Sequence, residues 1–109
     1  MDRQQFYDIT RDHLLAQGRK SLGIVGCAYR GKNGTKCAIG IHLPDDLCPL
    51  ALEGQPVGSL PGETLSYLGA HDGSDIEFMQ NLQTIHDVKD PRAWPAALYD
   101  FAIEHGLQP

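Results

Sequence analysis

The residues whose types suggest chemistry first are Cys27, Cys37, His42 and Cys48, because thiolates and imidazole together make zinc sites. Their spacing argues against one, since the chain has no Cys-x-x-Cys knuckle. A cysteine nucleophile is the next possibility. Cys37 follows Lys36, the kind of cation that activates a thiol, and His42 or His86 could act as base. Neighbouring residues of an extended chain face opposite ways, however, which separates the thiol from the cation. The dipeptides His86-Asp87 and His71-Asp72 resemble fragments of metal-dependent phosphohydrolase sites, but His13 and His105 are too isolated to complete a ligand set. The simpler reading packs the thiols as small apolar groups and sets His86 near a helix C-terminus, where the dipole favours it. Trp94, Tyr99 and Phe101 could stack a base, yet Trp94 and Phe101 share one helical stripe and read as core.

A stronger signal lies in Cys27-Ala-Tyr-Arg-Gly-Lys-Asn-Gly-Thr-Lys-Cys37-Ala-Ile-Gly-Ile-His42. Asn33-Gly34 reaches positive φ cheaply and predicts a β-hairpin. With a three-residue loop at Lys32-Asn33-Gly34, Cys27 and Tyr29 share a packed face with Cys37, Ile39 and Ile41. Arg30, Lys36 and His42 then stand on the other face above Ala28, Ala38 and Gly40. A two-residue turn instead places Tyr29 with Lys36 and His42, so the register stays open. In the preferred register Arg30 faces Lys36, and like charges directly opposite need a negative partner. That partner is either a carboxylate of this chain (Asp45, Asp46 or Glu53) or the phosphate or carboxylate of a ligand, which arginine suits well.

The elements that would position these groups follow from periodicity. Phe6, Ile9, His13, Leu14 and Ala16 predict a helix over 3–17 that Gly18 stops. Arg19 to Gly26, with Leu22, Ile24 and Val25, reads as a connector able to add a short strand. Residues 44–73 are rich in Pro, Gly and acidic groups and read as loops with one or two helical turns. Ser74-Asp-Ile-Glu77 matches a capping box and predicts a helix from Asp75 with Ile76, Met79, Leu82 and Ile85 as its buried stripe. Asp90-Pro91 offers another start, and Pro95 moves the main helix to 95–105, with Trp94, Leu98, Phe101 and Ala102 inward and Gly106 as stop. The expected fold is α+β: an N-terminal helix, a small antiparallel hairpin or sheet, an irregular middle and two C-terminal helices.

With 109 residues the chain fits a single domain, 1–109. A net charge of −5 without a dense basic run argues against general nucleic-acid or anionic-membrane affinity. No stretch approaches the roughly 20 apolar residues of a membrane span, and Met1-Asp-Arg-Gln-Gln lacks the features of a signal peptide. A cytoplasmic chain with three reduced thiols and no disulfide framework is expected.

The motif Cys-x-Tyr-Arg-Gly-x-x-Gly-x-Lys-Cys-Ala-x-Gly at 27–40, with Leu43-Pro-Asp45, Glu53-Gly54, Leu82-Gln83-x-x-His86-Asp87 and a tryptophan-bearing last helix ending His105-Gly-Leu107, resembles a family of small phage and prophage proteins. The resemblance spans Gln4 to Leu107. Asp46 is a departure, since the related proteins favour glutamate after Pro-Asp. The family brings no biochemical activity to carry over; it implies a cytosolic factor acting against the host by binding a protein or sequestering a small molecule. The combined expectation is a non-enzymatic homo-oligomer without cofactor or metal that captures an anionic small molecule, such as a nucleotide-derived immune signal, in an anti-defence role. Arg30 and Lys36 would hold the anion, with Tyr29, His42, His86 and Asp87 around it. The alternative is an inhibitor or adaptor that binds a host protein through Asp45, Asp46 and Glu53. A small Cys/His hydrolase is the third reading.

Overall fold

The computed structural model describes residues 2–24 and 26–109; Met1, and Val25 of the predicted connector, lie outside the described residues. Helix α1 runs Arg3–Gln17. Asp2 caps it by accepting from the Gln5 amide, and the Gln5 side chain accepts in return from the Asp2 amide. Gly18, at φ 68°, ends it. Its buried face carries Phe6, Tyr7, Thr10 and Leu14, a helical stripe that packs against the C-terminal helix. There the Tyr7 ring stacks on Phe101 and its hydroxyl donates to the Leu98 carbonyl at 2.9 Å.

The middle of the chain is more helical than its composition suggests. Single 3-10 turns at Asp45–Leu47, Leu50–Leu52 and Val57–Ser59 each follow a proline, and helix α2 spans Gly62–Leu68. Helix α3 spans Gly73–Val88 and starts earlier than the capping box predicts. Asp72 is the cap, its carboxylate accepting from the Asp75 amide at 2.9 Å, while the Arg3 guanidinium holds the Ser74 hydroxyl and the Asp75 carboxylate at 2.8 and 3.0 Å. Met79, Leu82 and Ile85 are buried with Phe78, whereas Ile76 stays at the edge. A 3-10 turn at Pro91–Ala93 leads into α4, Trp94–Glu104, whose Trp94, Leu98, Phe101 and Ala102 all face the core.

The α+β expectation is overturned. The chain is mainly α, 63% helical, with four α-helices and no strand, sheet or hairpin among the described residues. The predicted hairpin shrinks to isolated bridges, Leu22 with Cys27 and Arg30 with Lys36. Asn33 and Gly34 do turn the chain at φ 60° and 73°, and Arg30 does lie across from Lys36. The arms then separate, because their amides are bonded elsewhere. The Tyr29 amide donates to Glu53, the Lys36 amide to Gln17 and the Ile39 amide to Gln83. Gly40–His42 curls into another 3-10 turn, packed so tightly under Tyr29 that a Cβ on Gly40 would run into the Tyr29 carbonyl. The two-faced surface fails with the hairpin: His42, Ala28 and Ala38 are buried alongside Tyr29, Cys37 and Ile39.

No helix among the described residues is long and apolar enough to cross a membrane.

Candidate functional site

Arg30 is already occupied. One guanidinium nitrogen donates to the Gly40 carbonyl at 2.7 Å, and the other to the Leu43 carbonyl at 2.6 Å and the Asp45 carboxylate at 3.1 Å. The negative partner demanded by the Arg30 and Lys36 pair is therefore Asp45, and the arginine works as a clamp on the 40–43 turn. Lys36 is tied through its backbone: its carbonyl accepts from Gln17 and sits 2.7 Å from the His13 ring. Of the proposed partner-binding acids, Asp45 and Asp46 are exposed, whereas Glu53 is half-buried and holds the Tyr29 amide at 2.8 Å.

Tyr29 and His42 are also structural. The Tyr29 hydroxyl donates to the Gln55 carbonyl at 2.6 Å, and burial pushes its pKa up beyond the ordinary phenol range. The His42 ring stacks on Phe6 at 3.7 Å with Nε2 2.8 Å from the Thr10 hydroxyl, which itself donates to the Ala38 carbonyl. Burial first, and then the nearby His13, push the His42 pKa down to about 4, so the ring is neutral at pH 7 and brings no charge to an anion.

His86 and Asp87 belong to a relay across one turn of α3. His86 Nε2 accepts from the Ser21 amide at 2.9 Å, and Nδ1 donates to Asp87 at 2.8 Å. The same Asp87 oxygen accepts from the Gln83 amide nitrogen at 2.8 Å, and the Gln83 oxygen accepts from the Ile39 amide at 3.2 Å. His86 is wholly buried and stacked on Trp94.

Among the described residues, one group of three could be considered for a metal: Cys27, His86 and Asp87, whose ligand atoms lie within 4.8 Å of one another. The relay excludes His86 as a ligand. A ring that accepts a backbone amide on Nε2 keeps its proton on Nδ1 and has no lone pair left to offer. The quartet Cys27, Cys37, His42 and Cys48 is not brought together. The thiols are also poor nucleophiles. Burial pushes buried Cys37 up to about 12, and burial followed by Asp87 raises half-buried Cys27. His71-Asp72 lies apart at the start of α3, with Asp72 as its cap.

No protein-family model, curated protein or solved structure matches the chain. The site must therefore be read from geometry alone. One open space bordering the motif is a groove of about 430 Å³ between the 23–32 segment and the 50–54 turn, bordered by Ile24, Cys27, Arg30, Lys32, Leu50 and Glu53. Ile24 and Leu50 are 95% and 87% exposed, extreme values for aliphatic side chains. Lys32 also borders a neighbouring hollow of about 250 Å³ with Arg19 and Lys20. A second pocket, about 300 Å³, lies beyond Cys27 and brings Tyr29 and Asp87 to the same wall. Of the six expected ligand residues, only Arg30 borders the main groove, and Lys36, His42 and His86 border none of these three spaces.

Charge explains why this face differs from the rest. No Asp or Glu occurs between Asp12 and Asp45, a stretch that holds Arg19, Lys20, Arg30, Lys32 and Lys36, five of the nine cations. The remaining four share the rest of the chain with all 14 carboxylates. Lys20 donates to the Asp87 carbonyl, while Arg19 and Lys32 form no ion pair among the described residues. A running charge count would have shown this segment, and so Lys32, from sequence. The exposure of Ile24 and Leu50 had no sequence signal, because aliphatic residues in a loop-rich stretch read equally well as core.

Proposed function

We propose that the protein is a small non-catalytic factor that captures an anionic small molecule, and that capture takes place at the Lys32 face rather than at Arg30. One observation carries the reading: a carboxylate-free, cationic segment borders an open groove in a chain that is otherwise strongly acidic. The groups a hydrolase would need point away from catalysis, since Cys37 and His86 are buried and the nitrogens of His86 are both engaged. The resemblance to small phage proteins supplies the setting, a cytoplasmic factor that withholds a host signal, and copies of the chain joining as a homo-oligomer would add walls to an open groove.

Native mass spectrometry of the protein purified from producing cells tests the reading. A non-covalent adduct on the parent that is absent from Lys32→Glu is expected. An adduct kept by Lys32→Glu would move the site, and a protein that carries and accepts no anion would refute the role. Arg30→Glu is the wrong probe, because its loss releases the 40–43 turn.

A second reading is favoured by the exposure of Leu50 and of the adjacent acids Asp45 and Asp46, which would suit a host-protein partner. It predicts a stable complex that survives Lys32→Glu and is lost in Leu50→Asp.

A further inference from the structure

We infer that the captured molecule is a free amphipathic anion, with an aliphatic chain lying between Ile24 and Leu50 and its charged head on Lys32. This rests on the proposed capture role and names the chemical class it serves. It also narrows the expectation of a nucleotide-derived signal.

The walls decide the class. The border of the groove combines aliphatic groups with glycines at 23, 26, 31 and 54, and no aromatic side chain is among its lining residues. A nucleobase is normally held by stacking on aromatic rings or by a set of hydrogen bonds to its edges. The ring nearest in sequence cannot be recruited: Tyr29, inside the 23–32 segment, is buried with its hydroxyl bonded to Gln55. Ile24 and Leu50, by contrast, remain almost fully in water, where each pays the full hydration cost of an aliphatic side chain until something apolar covers it.

Charge fixes the other end. Among the described residues Glu53 is the single carboxylate on the groove border, and one of its oxygens accepts from the Tyr29 amide. Arg30 is held by carbonyls and Asp45, which leaves Lys32 as the cation able to reach a guest. Lys32 borders both the apolar groove and the hollow shared with Arg19 and Lys20, so one side chain joins the apolar and the cationic space. A fully hydrophilic anion would use only the second space, and an uncharged hydrocarbon only the first.

The groove is concave, which favours a chain withdrawn from a bilayer over a surface laid flat on one. The inference therefore commits to a soluble molecule.

The test compares decyl phosphate, kept below its micelle concentration, with AMP and inorganic phosphate, using amide chemical shifts of the whole chain. Decyl phosphate is expected to bind at least tenfold more tightly than either and to shift residues 22–32 and 50–54. Leu50→Asp and Ile24→Asp should each weaken it at least tenfold while leaving the amide spectrum of the free protein folded, and Lys32→Glu should weaken all three ligands. Equal affinity for AMP and decyl phosphate, or an unchanged affinity in Leu50→Asp, overturns the inference and leaves the capture role standing. Failure of every anion to bind overturns both. Association with phosphatidylglycerol vesicles matching that for decyl phosphate would place the ligand in a membrane and overturn the free-ligand class.

Discussion

Helices α1, α3 and α4 and the segment 19–60 satisfy their backbones in different ways. The helices bond their own amides and bury side chains at helical spacing, as Phe6, Leu14, Leu82 and Leu98 do. Among its described residues the segment forms no ladder, only bridges and single turns, and for the rest it borrows side chains: His86 for Ser21, Gln17 for Lys36, Gln83 for Ile39 and Gln80 for Val57. Buried backbone groups must be paired somewhere. The polar residues on the inner faces of these helices are therefore as structural as the apolar ones, and a titratable group there is poor evidence of chemistry.

The contrast can be broken most forcefully at His86. His86→Ala should cost about 3 to 4 kcal/mol by urea denaturation, because it leaves the buried Ser21 amide unpaired and a cavity beside Trp94. A loss under 1 kcal/mol would show that the segment does not depend on its helical partner. Gly40→Ala should cost about 2 to 3 kcal/mol, since the added methyl collides with the Tyr29 carbonyl and backbone must move.

Acid should act on the same attachments. His42 is held neutral with its pKa near 4, whereas an unfolded histidine titrates near 6.5. The unfolded chain therefore takes up a proton that the fold refuses as pH falls from about 6.5 to 4. Its contribution is complete above that window, and about 3 kcal/mol is lost across it. Stability measured at pH 7, 5.5 and 4 should fall in that order, and His42→Phe, which keeps a ring against Phe6, should flatten the slope.

Arg30→Lys is expected to cost about 1 to 2 kcal/mol in thermal unfolding, because an ammonium cannot span the Gly40 and Leu43 carbonyls as the planar fork does. Lys32→Glu marks the bottom of the scale, within about 0.5 kcal/mol of the parent, as suits an exposed cation without an ion pair. The clamp and the binding cation thus separate by experiment: one variant loses stability, the other affinity.

What was legible in the sequence follows the same division. The extent of α1, its glycine stop and the inner face of α4 depend on neighbours three or four residues away, and they were readable, although the stripe of α1 was only half right: Phe6 and Leu14 are buried, whereas Ile9 and Ala16 are exposed and Tyr7 and Thr10 fill the face instead. The Asn33-Gly34 turn and the Arg30 and Lys36 pairing were also local. The hairpin itself failed because its arms take partners far along the chain, Glu53 for Tyr29 and Gln83 for Ile39, and no turn signal encodes those. The start of α3 was misplaced for a similar reason: Arg3, more than 70 residues away, donates to the Ser74 hydroxyl that a capping box would use, and Asp72 caps the helix instead. The proposed anion site dissolved once Arg30 found its carbonyls. The charge pattern that points to Lys32 was in plain view, but it required counting absences of Asp and Glu rather than searching for motifs.

The relay from Ser21 through His86, Asp87 and Gln83 to Ile39 fastens both ends of the intervening loop to a single turn of α3. A fluctuation that frays this turn releases the Ser21 and Ile39 moorings together, while Glu53 and Gln17 still hold the Tyr29 and Lys36 amides between them. The Ser21 and Ile39 amides would then share one opening free energy in native-state hydrogen exchange, distinct from that of the Tyr29 and Lys36 amides.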